Sequence, residues 1–198
     1  MSSLDVYNEG YYRSSNYSDY LERSDRYKKT AIELATLLHS LNLINRKSVI
    51  VDFGCAVGFL MDGFIELGYE NVVGVEISQW ASNFAKTKGH EVVSSIKELS
   101  IVPQLTIALD VFEHMTDEQI THVMNKIKPN ALLVRIPTST DGGKTFSLEI
   151  SRADPTHINC KTKTQWIEFF KSFGYKTFLR LNLFTIYDTP GVSCFIVL

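Results

Sequence analysis

Val49-Ile-Val-Asp52-Phe-Gly54-Cys-Ala56-Val-Gly58 is the stretch that decides the fold. Ser48 to Phe53 is short, rich in β-branched residues and almost wholly apolar, which predicts a parallel strand buried on both faces. Gly54 to Gly58 then turns the chain. A glycine turn between a buried strand and a helix lets main-chain atoms approach a ligand that a Cβ would block, and it opens a helix N-terminus with N–H groups to offer. A ligand is therefore expected at this turn. The spacing is G-x-A-x-G and not the G-x-G-x-x-G of dinucleotide binding. Asp52, two residues before the first glycine, would repel a pyrophosphate and attract a cation.

Outward from this turn the chain alternates. Strands are predicted at Asn71 to Val75, Glu91 to Ser94, Leu105 to Asp110 and Ala131 to Ile136. Helices are predicted at Tyr27 to Leu41, from apolar residues recurring every three or four positions, at Phe59 to Leu67, and at Gln79 to Lys88 with Ser78 as N-cap. Thr116-Asp-Glu-Gln119 and Thr162-Lys-Thr-Gln165 have capping-box spacing and start two more helices, the second ended by Gly174. Tyr175 to Ile186 and Val192 to Leu198, joined by the turn residues Asp188-Thr-Pro-Gly191, read as an antiparallel pair. The fold class is α/β: a Rossmann-like, doubly wound, seven-stranded, mostly parallel sheet with a C-terminal antiparallel hairpin.

A length of 198 residues suits one domain, read as 28–198, preceded by an arm over 1–27. The arm holds six of the nine tyrosines, Tyr7, Tyr11, Tyr12, Tyr17, Tyr20 and Tyr27, and is expected either to dock on the domain or to act as a lid. A net charge of -2 lacks the positive field of proteins that grip many phosphates, so nucleic acid is disfavoured as a partner. Cys55, Cys160 and Cys194 are an odd number without paired spacing, so neither a disulfide framework nor a metal site is expected. The polar, acidic N-terminus is unlike a signal peptide and no apolar run is long enough to span a bilayer; the expectation is a cytoplasmic protein with no membrane partner. Oligomeric state is not legible.

Glu76, 22 residues beyond Gly54, ends the second strand, where a carboxylate can accept hydrogen bonds from ribose hydroxyls. S-adenosylmethionine, with its ammonium, its sulfonium and no phosphate, suits a turn flanked by Asp52 and Glu76. With these residues in view, the chain resembles the class I S-adenosylmethionine-dependent methyltransferases from about Ser48 to Ile136. Asp52-Phe-Gly-Cys-Ala-Val-Gly58 resembles their first motif, with Ala56 where glycine is common, and Val73-Gly-Val-Glu76-Ile-Ser resembles the second. Ile107-Ala-Leu-Asp110-Val-Phe-Glu113-His114 resembles the segment after their fourth strand. The resemblance implies S-adenosylmethionine as cofactor, held by Asp52, Gly54, Cys55 and Gly58, by Glu76 on the ribose, by Ile77 against adenine, and by Asp110 and Val111. It puts Ser95 where the family commonly has an acidic contact to the adenine amino group.

Methyl transfer needs a positioned acceptor more than a covalent nucleophile, and a base only where the acceptor must lose a proton. His157, in Asp154-Pro-Thr-His157, and His114 are the catalytic candidates, each weighed against a structural role in its loop or turn. The functional expectation is methyl transfer to an oxygen or nitrogen of a small molecule, with a sugar or glycan precursor suggested by resemblance of the G-C-A-x-G turn and D-P-T-H loop to such enzymes. The alternatives are a non-catalytic cofactor-binding relative, a methyltransferase of protein or RNA, and a nicotinamide oxidoreductase.

Overall fold

β1 (Val49–Phe53), β2 (Asn71–Val75) and β3 (Glu91–Val93) run parallel, with Asp52 opposite Gly74 and Val73 opposite Glu91. Their interiors are buried, as expected of strands covered by helices on both faces. The computed structural model describes residues 6–14 and 19–198, so Tyr17 and the first five residues lie outside the described part. The chain divides into two compact units, Met1–Thr106 and Ile107–Leu198.

The first unit also holds α1 (Glu9–Tyr12), α2 (Ser24–Ser40), α3 (Phe59–Glu66) and α4 (Gln79–Thr87). Its α2 starts three residues earlier than the apolar period predicts, so the end of the tyrosine-rich segment is helical. Ser78 caps α4 as expected, its hydroxyl accepting from the Ala81 N–H at 3.1 Å. Gly74 is a packing requirement: a Cβ there would stand 2.5 Å from Cys55 Sγ and 2.9 Å from Met61 Sδ.

β4 (Leu105–Leu109) runs across the division between the units. The second unit continues with α5 (Asp117–Ile127), β5 (Ala131–Pro137), α6 (Glu149–Ala153), α7 (Lys163–Lys171), β6 (Phe178–Arg180) and β7 (Val192–Val197). Both capping boxes form, Thr116 with Gln119 and Thr162 with Gln165. β7 pairs antiparallel with β5 and with β6, and Trp166, Phe170 and Phe195 are fully buried beside them. The hydrogen-bonded strand order is β3-β2-β1-β4-β5-β7-β6, the doubly wound mixed sheet with antiparallel C-terminal strands that the sequence predicts.

Two local expectations change. The strand predicted over Tyr175 to Ile186 shortens to β6, because Asn182 and Tyr187 pair with each other and Asp188 N–H donates to Leu181 O at 2.8 Å, closing a small separate turn with Phe184 89% exposed at its tip. The short α6 was not predicted, having too few residues to show a period. No helix among the described residues is long and apolar enough to cross a membrane.

Candidate functional site

In the first unit the turn after β1 is built from left-handed residues. Gly54 has φ +79°, Ala56 +47° and Gly58 +79°. A Cβ at Gly58 would also stand 2.6 Å from the His90 ring, so this position is closed to other residues twice over. Ala56 accepts a conformation costly to an L-residue, on the order of 1 kcal/mol. The Gly54 and Cys55 N–H groups both donate to Val75 O, at 2.8 and 3.2 Å, which ties the turn to the end of β2. Cys55 packs its thiol over Gly74, so only its main chain is offered to a ligand; burial pushes that thiol up, and it is no nucleophile.

Glu76 closes the turn from the other side. One carboxylate oxygen accepts from Ala56 N–H at 2.8 Å and the other from Ser78 N–H at 2.7 Å. Each oxygen keeps acceptor capacity, since an ionised carboxylate offers about four lone-pair sites. Burial raises the Glu76 pKa, against the opposing pull of the Ser78, Ala56 and Ile77 N–H groups. Asp52, 5% exposed, is raised to about 7, first by burial and then by repulsion from Glu76. Neither carboxylate has an ion pair among the described residues. Two buried acids side by side on a main-chain cradle make a site that lacks positive charge.

The arm borders this cradle. Tyr12 stacks on Trp80 with ring centroids 5.3 Å apart, Tyr20 and Tyr27 both pack on Phe59, and the Ser78 hydroxyl donates to Tyr7 O. The Tyr20 hydroxyl is pushed up by burial first, and by the charges of Asp52 and Glu76 among smaller causes. Tyr20, one of the arm's tyrosines named from the sequence, thus feels the charges of the acid pair. Ile77 is half exposed beside Glu76, and Ser95 is occupied in its own turn, its hydroxyl accepting from Lys97 N–H at 3.2 Å.

In the second unit Asp110 follows β4 with φ +56°, its N–H donating to Arg135 O at 2.8 Å and its carboxylate accepting from the Arg135 guanidinium at 2.5 Å. Val111 precedes a 3-10 turn over Phe112–His114. The Asp154-to-Asn159 loop is fastened to this turn, because Ile158 and Asn159 N–H both donate to Glu113 O, at 2.8 and 2.9 Å. His114 and His157, expected from separate segments, meet with ring centroids 4.6 Å apart. Burial, then His157, lowers His114 to about 4, and burial likewise lowers His157 against the pull of Asp154, so both rings are neutral at pH 7.

Sequence reasoning quoted Glu113 within a motif without assigning it a place in the site. Its side chain is 0% exposed, neither carboxylate oxygen has a hydrogen-bond partner, and His157 Nε2 lies 3.9 Å from one of them. Burial holds this carboxyl well above the usual range, with Asp110 adding to the shift. The signal that could have found it was the Glu-His pair at a strand end.

No protein-family model matches the chain, and no curated protein matches it in sequence. Solved structures do match in shape. A SAM-dependent methyltransferase from Archaeoglobus fulgidus has a TM-score of 0.65 at 15% identity, covering 90% of this chain and 98% of that one. Magnesium protoporphyrin IX methyltransferase from Synechocystis PCC 6803, solved with bound SAH, gives 0.61 at 16% identity over 94% of this chain and 95% of its own. An S-adenosylmethionine-dependent methyltransferase from Clostridium acetobutylicum gives 0.65 at 14% identity, covering 90% and 94%. The chain has the fold of the class I S-adenosylmethionine-dependent methyltransferases.

Proposed function

We propose that this protein is an S-adenosylmethionine-dependent methyltransferase that acts on an oxygen or nitrogen of a small molecule, with sugars and glycan precursors the first acceptors to try. The observation that carries the reading is the buried pair of Asp52 and Glu76 on the Gly54–Gly58 turn, without a countercharge among the described residues. A ligand bearing an ammonium and a sulfonium supplies the missing positive charge, whereas a dinucleotide would add negative charge. The glycine cradle, free of Cβ atoms at Gly54 and Gly58, fits close approach of such a ligand to the main chain.

In this reading Asp52 attracts the cationic end and Glu76 accepts from the ribose hydroxyls with the lone pairs left over from Ala56 and Ser78. Ile77 gives an apolar surface to the adenine and Ser95 a hydroxyl near its edge, while Asp110 and Val111 are carried as cofactor residues by the resemblance of their segment alone. Tyr20 and Tyr12 act as a lid that excludes water. The cofactor, when bound, supplies a methyl group already activated for transfer. His157 and His114 handle the acceptor: neutral rings present lone pairs that can accept its proton or orient it. Titrating the purified chain with S-adenosylmethionine and S-adenosylhomocysteine, then screening acceptors with radiolabelled cofactor, tests the reading. Binding followed by product from a sugar or other small molecule is expected; binding without product from any acceptor class would instead favour a non-catalytic relative.

A further inference from the structure

Glu113 presents an unsolved problem in the second unit. A fully buried carboxyl with no hydrogen bond to either oxygen is among the costliest groups a fold can carry, and such a group needs a partner. Two imidazoles stand around it, and the Arg135 guanidinium is paired with Asp110. One ligand atom each from Glu113, His114 and His157 lies within 4.8 Å of the other two.

The tautomer of His114 follows from its neighbour. The Thr156 hydroxyl has one proton and stands 2.5 Å from Asp154 Oδ1, to which it donates. Its 2.8 Å contact with His114 Nδ1 fits a ring that carries its hydrogen on Nδ1 and donates to Thr156 Oγ1. In that tautomer the acceptor lone pair of the neutral ring is on Nε2. A carboxylate fixing a histidine tautomer through an intermediate group is the arrangement that outer partners of metal-binding histidines adopt. His157 Nε2 is 3.9 Å from Glu113 and 3.8 Å from Asp154, beyond hydrogen-bond reach of both. Ligand atoms sharing one ion at about 2.0–2.2 Å each stand roughly 3–3.5 Å apart, so binding would draw these side chains inward by about an ångström or less.

We propose that Glu113, His114 and His157 form a binding site for one divalent first-row transition-metal ion, with Thr156 and Asp154 orienting His114. Two imidazoles and one carboxylate are the donor set of open-sided sites for such ions, and they leave coordination positions for water or an oxygen-bearing ligand. Here the loop from Asp154 to Asn159 is held to the turn by main-chain hydrogen bonds to Glu113 O, so the donors are assembled by the fold before any ion arrives. The site involves only the second unit and does not depend on which cofactor the first unit takes; with an ion bound, the two rings' ligating lone pairs are taken, so they would orient the acceptor rather than accept its proton.

The test uses the full chain, stripped with chelator and dialysed, and titrated calorimetrically with manganese(II), which disfavours the three cysteines, and with cobalt(II) for its visible spectrum. One equivalent of bound ion is expected, with cobalt bands of nitrogen and oxygen ligation. Glu113→Gln and His157→Ala should each weaken binding at least tenfold, and Thr156→Val, which frees the His114 tautomer, by about tenfold. Should Glu113→Gln fail to fold by circular dichroism, Glu113→Asp keeps the charge, and weaker manganese binding by it is the expected result. No binding of either ion to the wild-type chain, or binding undiminished in the variants, would overturn the site and make Glu113 a neutral carboxylic acid of the core.

Discussion

The two units bury acidic side chains in opposite ways. In the first, Glu76 is met by the main-chain N–H groups of Ala56, Ser78 and Ile77 and stands beside Asp52, so negative charge is partly accommodated and the remainder faces a ligand cradle. In the second, neither Glu113 oxygen has a hydrogen-bond partner and two imidazoles stand within reach. The contrast teaches that burial alone does not define a role: what surrounds the carboxylate selects its partner. N–H donors and glycines suit an organic cation that is also hydrogen-bonded, whereas bare lone pairs from nitrogen and oxygen suit a metal ion.

The largest expected effect breaks the first half of this contrast. With a folded-state pKa of about 7 against 3.8, Asp52 takes up protons on folding between those values, so the ligand-free protein should lose stability as pH rises from about 4 through about 7. Asp52→Asn should remove that dependence and stabilise the ligand-free chain at pH 8 by on the order of a few kcal/mol, measured by urea unfolding. The same substitution should weaken S-adenosylmethionine binding. In the wild type, affinity should rise about tenfold from pH 6 to pH 8 as the carboxylate ionises. A flat pH profile would remove Asp52 from the site.

Next in size, Glu76→Ala should cost cofactor binding roughly 1–3 kcal/mol, the range of a lost charged hydrogen bond. It should also lower stability, because the Ala56 and Ser78 N–H groups lose their acceptor. His157→Ala sharpens the comparison from the other unit: turnover should fall at least tenfold while calorimetric affinity for S-adenosylmethionine changes less than about twofold. Equal loss of both would show that the two regions are not separable in function. The smallest effect is expected at Ala56, where φ is +47°. Ala56→Gly should stabilise the chain by about 0.5–1 kcal/mol in denaturant unfolding, through relief of the left-handed conformation. No gain would mean that the turn holds no strain there.

How much of this was legible in the sequence follows from period and range. The parallel strands and their helices were readable because burial on both faces writes itself as runs such as Val49–Val51, and caps write themselves as Thr116 and Gln119. Asp52, the glycine turn and Glu76 were readable because the ligand's chemistry dictates residue type at fixed spacing. The remainder depends on contacts between segments far apart in the chain, such as Thr156 with His114 at 42 residues' separation and Tyr20 on Phe59. Glu113 illustrates the limit: its residue type was plain, but that neither oxygen finds a donor is a property of the packed turn alone.

The central claim is that the Asp52–Glu76 cradle takes S-adenosylmethionine, and isothermal titration of the full chain with that compound at pH 8 tests it most directly. The account predicts one site with micromolar affinity, about tenfold weaker at pH 6. A folded sample that binds neither S-adenosylmethionine nor S-adenosylhomocysteine at either pH would contradict it.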